Sequence, residues 1–255
     1  MTKVVAKTSM LTFAPMIDSE LARLVLRYHN ENFREERHLF GWASILSLLR
    51  GFSLQIPLLY REGFRMVGPR AVCDHFDTLC PKDQMLMPSQ QPLKSQIEED
   101  WLRFNGDLGS AAAVFAYYHL LPCRDIMIEP FTNGLPHYEQ VALRFLYPVQ
   151  QFLLTVLLRL TAARADDALL RIRMIVNSVD LRLADERTFL FGDQLTLADL
   201  CLAASLAPLL LPDGYGAPMP RWDVMPQPLK RTVAELRTSK AARLVERIYS
   251  KIHRL

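Results

Sequence analysis

The first eighty residues alternate short apolar runs with stretches of helical periodicity. Strands are predicted where apolar runs are bounded by charged residues, glycine or proline, at residues 3–15, 35–42, 54–60 and 64–67. Helices are predicted where apolar residues recur every three or four positions, at residues 19–32, 43–51 and 69–79. Gly63, between the last two strands, predicts a hairpin turn. The order βαβ–α–ββα predicts a small α/β domain over residues 1–80.

The pattern changes after residue 80. Residues 81–93 are rich in proline, glutamine and serine and show little periodicity, which is typical of a linker. Residues 94–255 have helical periodicity almost throughout, which predicts an all-α domain. Pro148 is expected to kink one of its long helices. The helices are predicted at residues 93–122, 138–164, 165–185, 197–210, 228–239 and 240–253.

The helix predicted at residues 197–210 begins with the most specific local signal in the chain. Thr196 can cap its N-terminus, and Asp199 can accept a hydrogen bond from the backbone N–H of Thr196, which makes a capping box. Leu195 and Leu200 stand at the hydrophobic-staple positions on either side of the cap. Because the helix continues almost wholly apolar, we expect it to be buried and the box to be structural.

Composition excludes several classes of protein. The 255 residues carry a formal charge of only +3 and no basic run, so no nucleic-acid partner is expected. The four cysteines form no C-x-x-C pair and no Cys/His cluster of zinc-ligand spacing, so no metal is expected. The apolar segments 152–164 and 197–212 are short and interrupted, so no membrane span is expected. Without an apolar leader after Met1, a cytoplasmic protein is expected.

A Gly-x-x-x-Thr-x-x-Asp box over residues 192–199 opens a buried helix late in an all-α domain that follows a βαβ–ββα domain. Together with residues 116–122 and 206–216, this arrangement resembles the glutathione S-transferase superfamily, in particular its bacterial, cytosolic-type members, over nearly the whole chain. The resemblance implies an α+β two-domain fold, with a thioredoxin-like domain at residues 1–80 and an all-helical bundle at residues 94–255. It also implies glutathione as co-substrate, a small hydrophobic electrophile as second substrate, and a homodimer.

The resemblance places part of the glutathione site at the hairpin. Members of the superfamily begin the hairpin with a cis-proline after an aliphatic residue, whose backbone pairs with the cysteinyl part of glutathione. Ile56 and Pro57 hold these positions. A proline in this context can also mark only an edge strand.

Members of the superfamily also carry a serine, cysteine or tyrosine near the start of the first helix, where it stabilises the glutathione thiolate. Ser19 falls on this position, and Arg23 falls on the basic position of the same motif. Ser19 is equally well placed as an ordinary N-cap. Asp18 and Glu20 depart from the motif, and two carboxylates beside the site would oppose a thiolate.

The charged γ-glutamyl end of glutathione is normally held by an acidic residue and a serine at the start of the next helix. Gly68 and Pro69 hold these two positions, so both polar side chains and one backbone N–H are missing. Arg70 follows and could meet a carboxylate, or could be an ordinary solvated helix residue. By position in the superfamily, the hydrophobic co-substrate pocket would be lined from the helix after the linker, with candidates Trp101, Asn105 and Tyr117.

Two functions follow from these residues. The first is a glutathione S-transferase-like enzyme that uses the glutathione thiolate on a hydrophobic electrophile, with Ser19 as the catalytic residue. The alternative is a non-catalytic protein of the same fold that binds an apolar ligand or a protein partner through the interdomain cleft. The substitutions at Gly68, Pro69, Asp18 and Glu20 favour the alternative.

Overall fold

The computed structural model describes residues 8–253, and the chain begins with a small mixed sheet and its helices. The sheet has the order β2-β1-β3-β4, in which β1 runs parallel to β2 and antiparallel to β3, and β3 and β4 form a hairpin. β1 is nearly all buried because it is paired on both sides. This topology confirms the predicted βαβ–α–ββα order. The elements are β1 (Thr8–Thr12), α1 (Ile17–Tyr28), β2 (Phe33–Arg37), α2 (Trp42–Leu49), β3 (Leu58–Arg61), β4 (Phe64–Val67) and α3 (Gly68–Asp77).

The rest of the described chain is helical, which confirms the predicted all-α second part. A π-helical turn at Leu102–Leu108 joins its first two helices into one continuous rod. The helices are α4 (Leu93–Trp101), α5 (Gly109–Leu120), α6 (Arg124–Thr132), α7 (His137–Leu157), α8 (Ala162–Arg182), α9 (Leu197–Leu210), α10 (Gln227–Leu236) and α11 (Lys240–His253).

Helix α9 lies at the centre of the helical part. Every residue of α9 except Pro208 is buried, and the helix packs against α1, α4, α5, α10 and α11. The predicted capping box is present: one carboxylate oxygen of Asp199 accepts from the Thr196 backbone N–H at 2.9 Å. The other accepts from the Leu190 N–H at 2.8 Å, so the box also fixes the loop before the helix. Because α9 contacts α1, one apolar core continues from the sheet domain into the bundle.

The segment between α3 and α4 is anchored despite its linker-like composition. Leu86 and Met87 are buried, and their backbone N–H groups donate to the carboxylate of Asp77 at 2.9 and 2.7 Å. The Leu86 carbonyl in turn accepts from the N–H of Leu197 at the start of α9. The segment therefore ties α3 to the capped end of α9.

Several predicted boundaries were wrong. β2 occupies Phe33–Arg37 rather than residues 35–42, because it pairs in register with β1 from Phe33 onward. The helix predicted at residues 138–164 ends at Leu157, where Arg159 turns the chain with a φ of 49°, and Thr161 then caps α8. Helix α6 was not predicted. The first predicted strand is confirmed from Thr8, and its residues 3–7 lie outside the described residues.

Among residues 8–253, no single helix is both long and apolar enough to cross a bilayer. Taken together, helices α7 and α8 are long and apolar enough to cross a bilayer by length and composition alone. The two helices are bent by 64° relative to each other.

Candidate functional site

The positions expected to bind the glutathione backbone lie where β3 meets α3. The Ile56–Pro57 peptide bond is cis, as predicted, and both residues are buried. The Pro57 carbonyl accepts a hydrogen bond from the Gly68 N–H at 2.9 Å, so the start of the hairpin and the start of α3 are directly joined. The structure thus brings together Ile56, Pro57 and Gly68, three of the predicted site residues.

The start of α3 offers little to an anionic ligand. Gly68 has a φ of 81°, and neither the cap residue Val67 nor any other side chain accepts a hydrogen bond from the first turn. Pro69 is buried in that turn and has no N–H. The features that usually make a helix N-terminus an anion site are therefore reduced here.

Arg70 already holds two carboxylates of the protein. Its guanidinium donates two hydrogen bonds to Glu98 of α4, at 2.8 and 3.1 Å, and one to Asp74 at 2.9 Å. This arrangement joins α3 to α4 and uses the donor groups that a ligand carboxylate would need. Arg70 is thus neither a free anion-binding residue nor an ordinary solvated one.

Ser19 is fully buried, and its hydroxyl has no hydrogen-bond partner among the described residues 8–253. The interpretation of Ser19 as an N-cap is wrong, because α1 begins at Ile17 with Met16 as the cap residue. The Ser19 side chain therefore points into the protein from the first turn of α1. A thiolate could reach it only after rearrangement of that turn.

Asp18, rather than Ser19, is the partly accessible polar side chain of this turn. Burial raises the pKa of the Asp18 carboxyl, and a hydrogen bond with the Asn105 side chain acts in the opposite direction. Asn105 lies in the π-helical turn, so this contact joins α1 to the bundle. Sequence reasoning named Asn105 by position but gave Asp18 no role beyond repelling a thiolate.

Glu20 and Arg23 belong to a buried ion-pair network under α1. Arg23, which is 1% exposed, donates to Glu20 at 2.6 Å and to Glu35 at 2.7 Å. Despite burial, Arg23 and Arg37 hold the pKa of the Glu35 carboxyl below its usual value. Glu20 also accepts from the Tyr249 hydroxyl of α11 at 3.0 Å. The motif positions of α1 thus connect the sheet to the C-terminal helix.

The three predicted co-substrate residues are dispersed along one helical rod. Trp101 ends α4 and Asn105 follows in the π-helical turn. Tyr117 lies in α5 with its ring 6.2 Å from that of Phe131, and burial raises the pKa of its hydroxyl. None of the three lines the apolar groove described next.

An apolar groove of about 290 Å³ lies between the loop that follows β2 and helix α7. The sequence analysis did not identify it, because its walls come from segments about one hundred residues apart. Its lining is apolar except for two polar residues, Glu139 and Gln150, and for the indole N–H of Trp42 and the hydroxyl of Tyr138. The lining residues are Leu39, Phe40, Trp42, Tyr138, Glu139, Ala142, Leu143, Leu146, Val149, Gln150 and Leu153.

The two polar residues of the groove differ in their bonding. Glu139 is buried and satisfied: it pairs with His38 Nδ1 at 2.5 Å and accepts from the Leu39 N–H at 2.8 Å. Gln150 is 6% exposed, and its buried amide nitrogen Nε2 has no hydrogen-bond partner among residues 8–253. The groove therefore combines predominantly apolar walls with one buried, unsatisfied amide group.

Beside the groove, α7 presents large apolar side chains to solvent. We call four exposed apolar residues of α7 that do not line the groove the outer stripe, and Phe145 among them is 79% exposed. Ile45, Leu48 and Leu49 of α2 are also exposed. Single exposed apolar residues are common, but a contiguous set marks an interaction surface. The outer stripe consists of Val141, Phe145, Phe152 and Val156.

Comparison with known proteins identifies the fold. No protein-family model matches the sequence, and no curated protein matches it significantly. Among solved structures, the β-etherase LigF of Sphingobium sp. strain SYK-6 is 14% identical with a TM-score of 0.59, covering 96% of this chain and 99% of its own. A glutathione S-transferase of Rhodospirillum rubrum F11 is 16% identical with a TM-score of 0.54, covering 93% and 91%.

A third structure is a glutathione S-transferase of Methylobacillus flagellatus KT with glutathione bound. It is 15% identical with a TM-score of 0.53, and the match covers 94% of this chain and 98% of that one. At these identities the comparisons establish the fold alone. The chain has the two-domain fold of the glutathione S-transferases, with a thioredoxin-like first part and an all-α second part.

Proposed function

We propose that the protein is a binding protein built on the glutathione S-transferase fold, and that its ligand is a largely apolar molecule seated in the groove beside α7. The groove carries this proposal, because its walls are predominantly apolar and Gln150 Nε2, which is buried at the wall without a partner among residues 8–253, gains one when the side chain turns toward a bound acceptor. Burial of apolar ligand surface provides the affinity, and one hydrogen bond orients the ligand. The ligand is therefore expected to be uncharged and to carry an acceptor oxygen.

Conventional glutathione chemistry has less support. The Ser19 hydroxyl is buried, the start of α3 lacks its usual polar side chains, and Arg70 is occupied by Glu98 and Asp74. These residues do not fit the mode of glutathione binding that the superfamily resemblance implies. Catalysis by a glutathione thiolate stays a prediction, and the binding function is favoured.

A matched pair of probes tests the groove. Benzophenone and diphenylmethane differ only in the carbonyl acceptor, and binding of each can be followed by quenching of tryptophan fluorescence, since Trp42 lines the groove. Wild type is expected to bind benzophenone more tightly. Gln150→Leu is expected to weaken benzophenone binding about five- to tenfold, the loss of one hydrogen bond, and to leave diphenylmethane binding unchanged or stronger.

Two surface variants complete this test. Leu146→Lys places a charge in the groove wall and should abolish binding of both probes. Leu170→Lys changes a residue of similar exposure on α8 and should have no effect. If neither probe saturates wild type, or if both lysine variants behave alike, the groove is not the ligand site.

The glutathione prediction has its own test. Calorimetric titration with glutathione at neutral pH, followed by a thiol-conjugation assay with a generic electrophile, is expected to give no saturable binding and no conjugation above background. Low-millimolar or tighter binding that is lost in Ser19→Ala would instead support the enzyme.

We also propose that two copies of the chain associate through the outer stripe of α7. A helix of 21 residues is about 30 Å long, so the outer stripe offers an extended apolar face along which a second helix can pack. The only charged residues of α7 are Glu139, which is buried, and Arg144. A second apolar face of the same kind is the complementary partner for such a surface.

A further inference from the structure

A separate cluster of side chains lies where α1 and α3 end and the linker begins. His29 follows α1, Asp77 ends α3, and Cys80 lies three residues beyond Asp77. A ring nitrogen of His29, a carboxylate oxygen of Asp77 and the sulfur of Cys80 all lie within 4.8 Å of one another. The cluster shares no residue with the groove beside α7.

The imidazole of His29 is held in place with one nitrogen free. Its side chain is only 6% exposed, and its ring packs between Tyr28 and Phe76, with centroid distances of 5.1 and 5.8 Å. Nevertheless Nε2 has no hydrogen-bond partner in the part of the chain that the structure describes, and it lies 3.4 Å from Asp77 Oδ1. A buried nitrogen without a hydrogen-bond partner lowers the stability of the fold unless a ligand binds to it.

The carboxylate of Asp77 is fixed from its other side. Its two oxygens accept from the backbone N–H groups of Leu86 and Met87, Oδ2 also accepts from the thiol of Cys73 at 3.7 Å, and Oδ1, which faces His29, keeps a second lone pair. Hydrogen bonds of this kind orient the carboxylate ligands of metal sites. The aspartate therefore needs no rearrangement to coordinate an ion.

The thiol of Cys80 is the only one of the three candidate ligands whose position has to change. A tetrahedral zinc ion with bonds of about 2.0–2.3 Å holds its ligand atoms roughly 3.3–3.8 Å apart. The His29–Asp77 separation already meets this requirement. The thiol of Cys80 is partly exposed and has to approach by about 1 Å, a shift within reach of side-chain rotation.

We propose that His29, Asp77 and Cys80 form a zinc site, with water as the fourth ligand on the exposed side of Cys80. One nitrogen, one oxygen and one sulfur donor suit zinc, whereas magnesium and calcium require oxygen ligands. On binding, the thiol becomes a thiolate and its proton passes to solvent. The ion would fasten the end of α1 to α3 and to the first turn of the linker.

Cobalt(II) is the probe, because it occupies zinc sites and reports its ligands by absorption. After treatment with a chelator, the full chain is expected to bind one cobalt ion with a thiolate-to-cobalt charge-transfer band and the visible bands of a tetrahedral ion. Cys80→Ser should lose the charge-transfer band. His29→Gln should weaken binding at least tenfold.

Cys123→Ser is the matched control, since Cys123 is also free and partly exposed but lies before α6. It should retain the full cobalt spectrum. Zinc should also raise the midpoint of thermal unfolding of wild type and of Cys123→Ser, but not of Cys80→Ser. The proposal is overturned if wild type shows no charge-transfer band, if Cys80→Ser keeps it, or if Cys123→Ser loses it equally. Circular dichroism verifies that each variant is folded.

Discussion

Two buried serines near the junction of sheet and bundle differ in one respect. Ser205 donates to the Phe104 carbonyl at 2.9 Å, whereas the hydroxyl of Ser19 has no partner. Ser19→Ala should therefore leave the free energy of unfolding unchanged or raise it by up to about 1–2 kcal/mol, while Ser205→Ala should lower it by about 1 kcal/mol. Urea denaturation measures both. A loss in Ser19→Ala as large as that in Ser205→Ala would show that Ser19 has an important partner.

Asp199 is the residue with the clearest pH dependence. Burial raises its pKa to about 6, outweighing the hydrogen bonds from Leu190 and Thr196 that favour the ionised form. The folded state holds the proton of Asp199 more tightly than the unfolded state does. The contribution of this proton to the free energy of unfolding is therefore complete below about pH 4 and is lost as the pH rises through 6.

The measurement is a comparison with Asp199→Asn, which does not titrate. Relative to this variant, the unfolding free energy of wild type should fall by about 2–3 kcal/mol between pH 4 and pH 7. Asp213→Asn, at an exposed position, provides the control and should follow wild type. A constant difference across this range would contradict the raised pKa.

At the scale of elements, the start of α3 depends on a backbone conformation that favours glycine. Gly68 has a φ of 81° and donates to the Pro57 carbonyl, whereas Gly106 in the π-helical turn has no positive φ. A Cβ at either position would meet nothing within 4 Å, so only the backbone distinguishes them. Gly68→Ala should cost about 1–2 kcal/mol, and Gly106→Ala should stabilise by about 0.5–1 kcal/mol. Thermal and urea unfolding measure the stability of both variants. Equal effects of the two substitutions would contradict the requirement for a positive φ at Gly68.

For the whole molecule, the outer stripe of α7 predicts the oligomeric state. If two copies pack there, Phe145→Glu should convert a dimer to a monomer, because burying an unpaired carboxylate in an apolar interface is too costly. Light scattering after size-exclusion chromatography measures the mass. Leu181→Glu, at 78% exposure on α8, is the matched control and should leave the dimer intact. A wild-type monomer at all concentrations would refute the proposal.

Features that depend on neighbouring residues were predictable. The turn at Gly63, with a φ of 72°, and the capping box of Thr196 and Asp199 each follow from a few adjacent side chains. Helix α6 was missed because it is a short helix of weak apolar pattern with Pro130 inside it. The boundary between α7 and α8 was predicted several residues too late because apolar periodicity continues past Leu157, and only the backbone turn at Arg159 separates the two helices.

The sequence by itself determined the order of the elements and the two-part architecture, because apolar periodicity and local capping act over a few residues. Only the tertiary structure decided which polar groups are available for chemistry. It buried Ser19, engaged Arg70 with Glu98, and left the amide nitrogen of Gln150 buried and unsatisfied beside a groove. It also assembled His29 with Asp77 and Cys80, about fifty residues away. Burial and convergence depend on packing between distant segments, which no local pattern encodes.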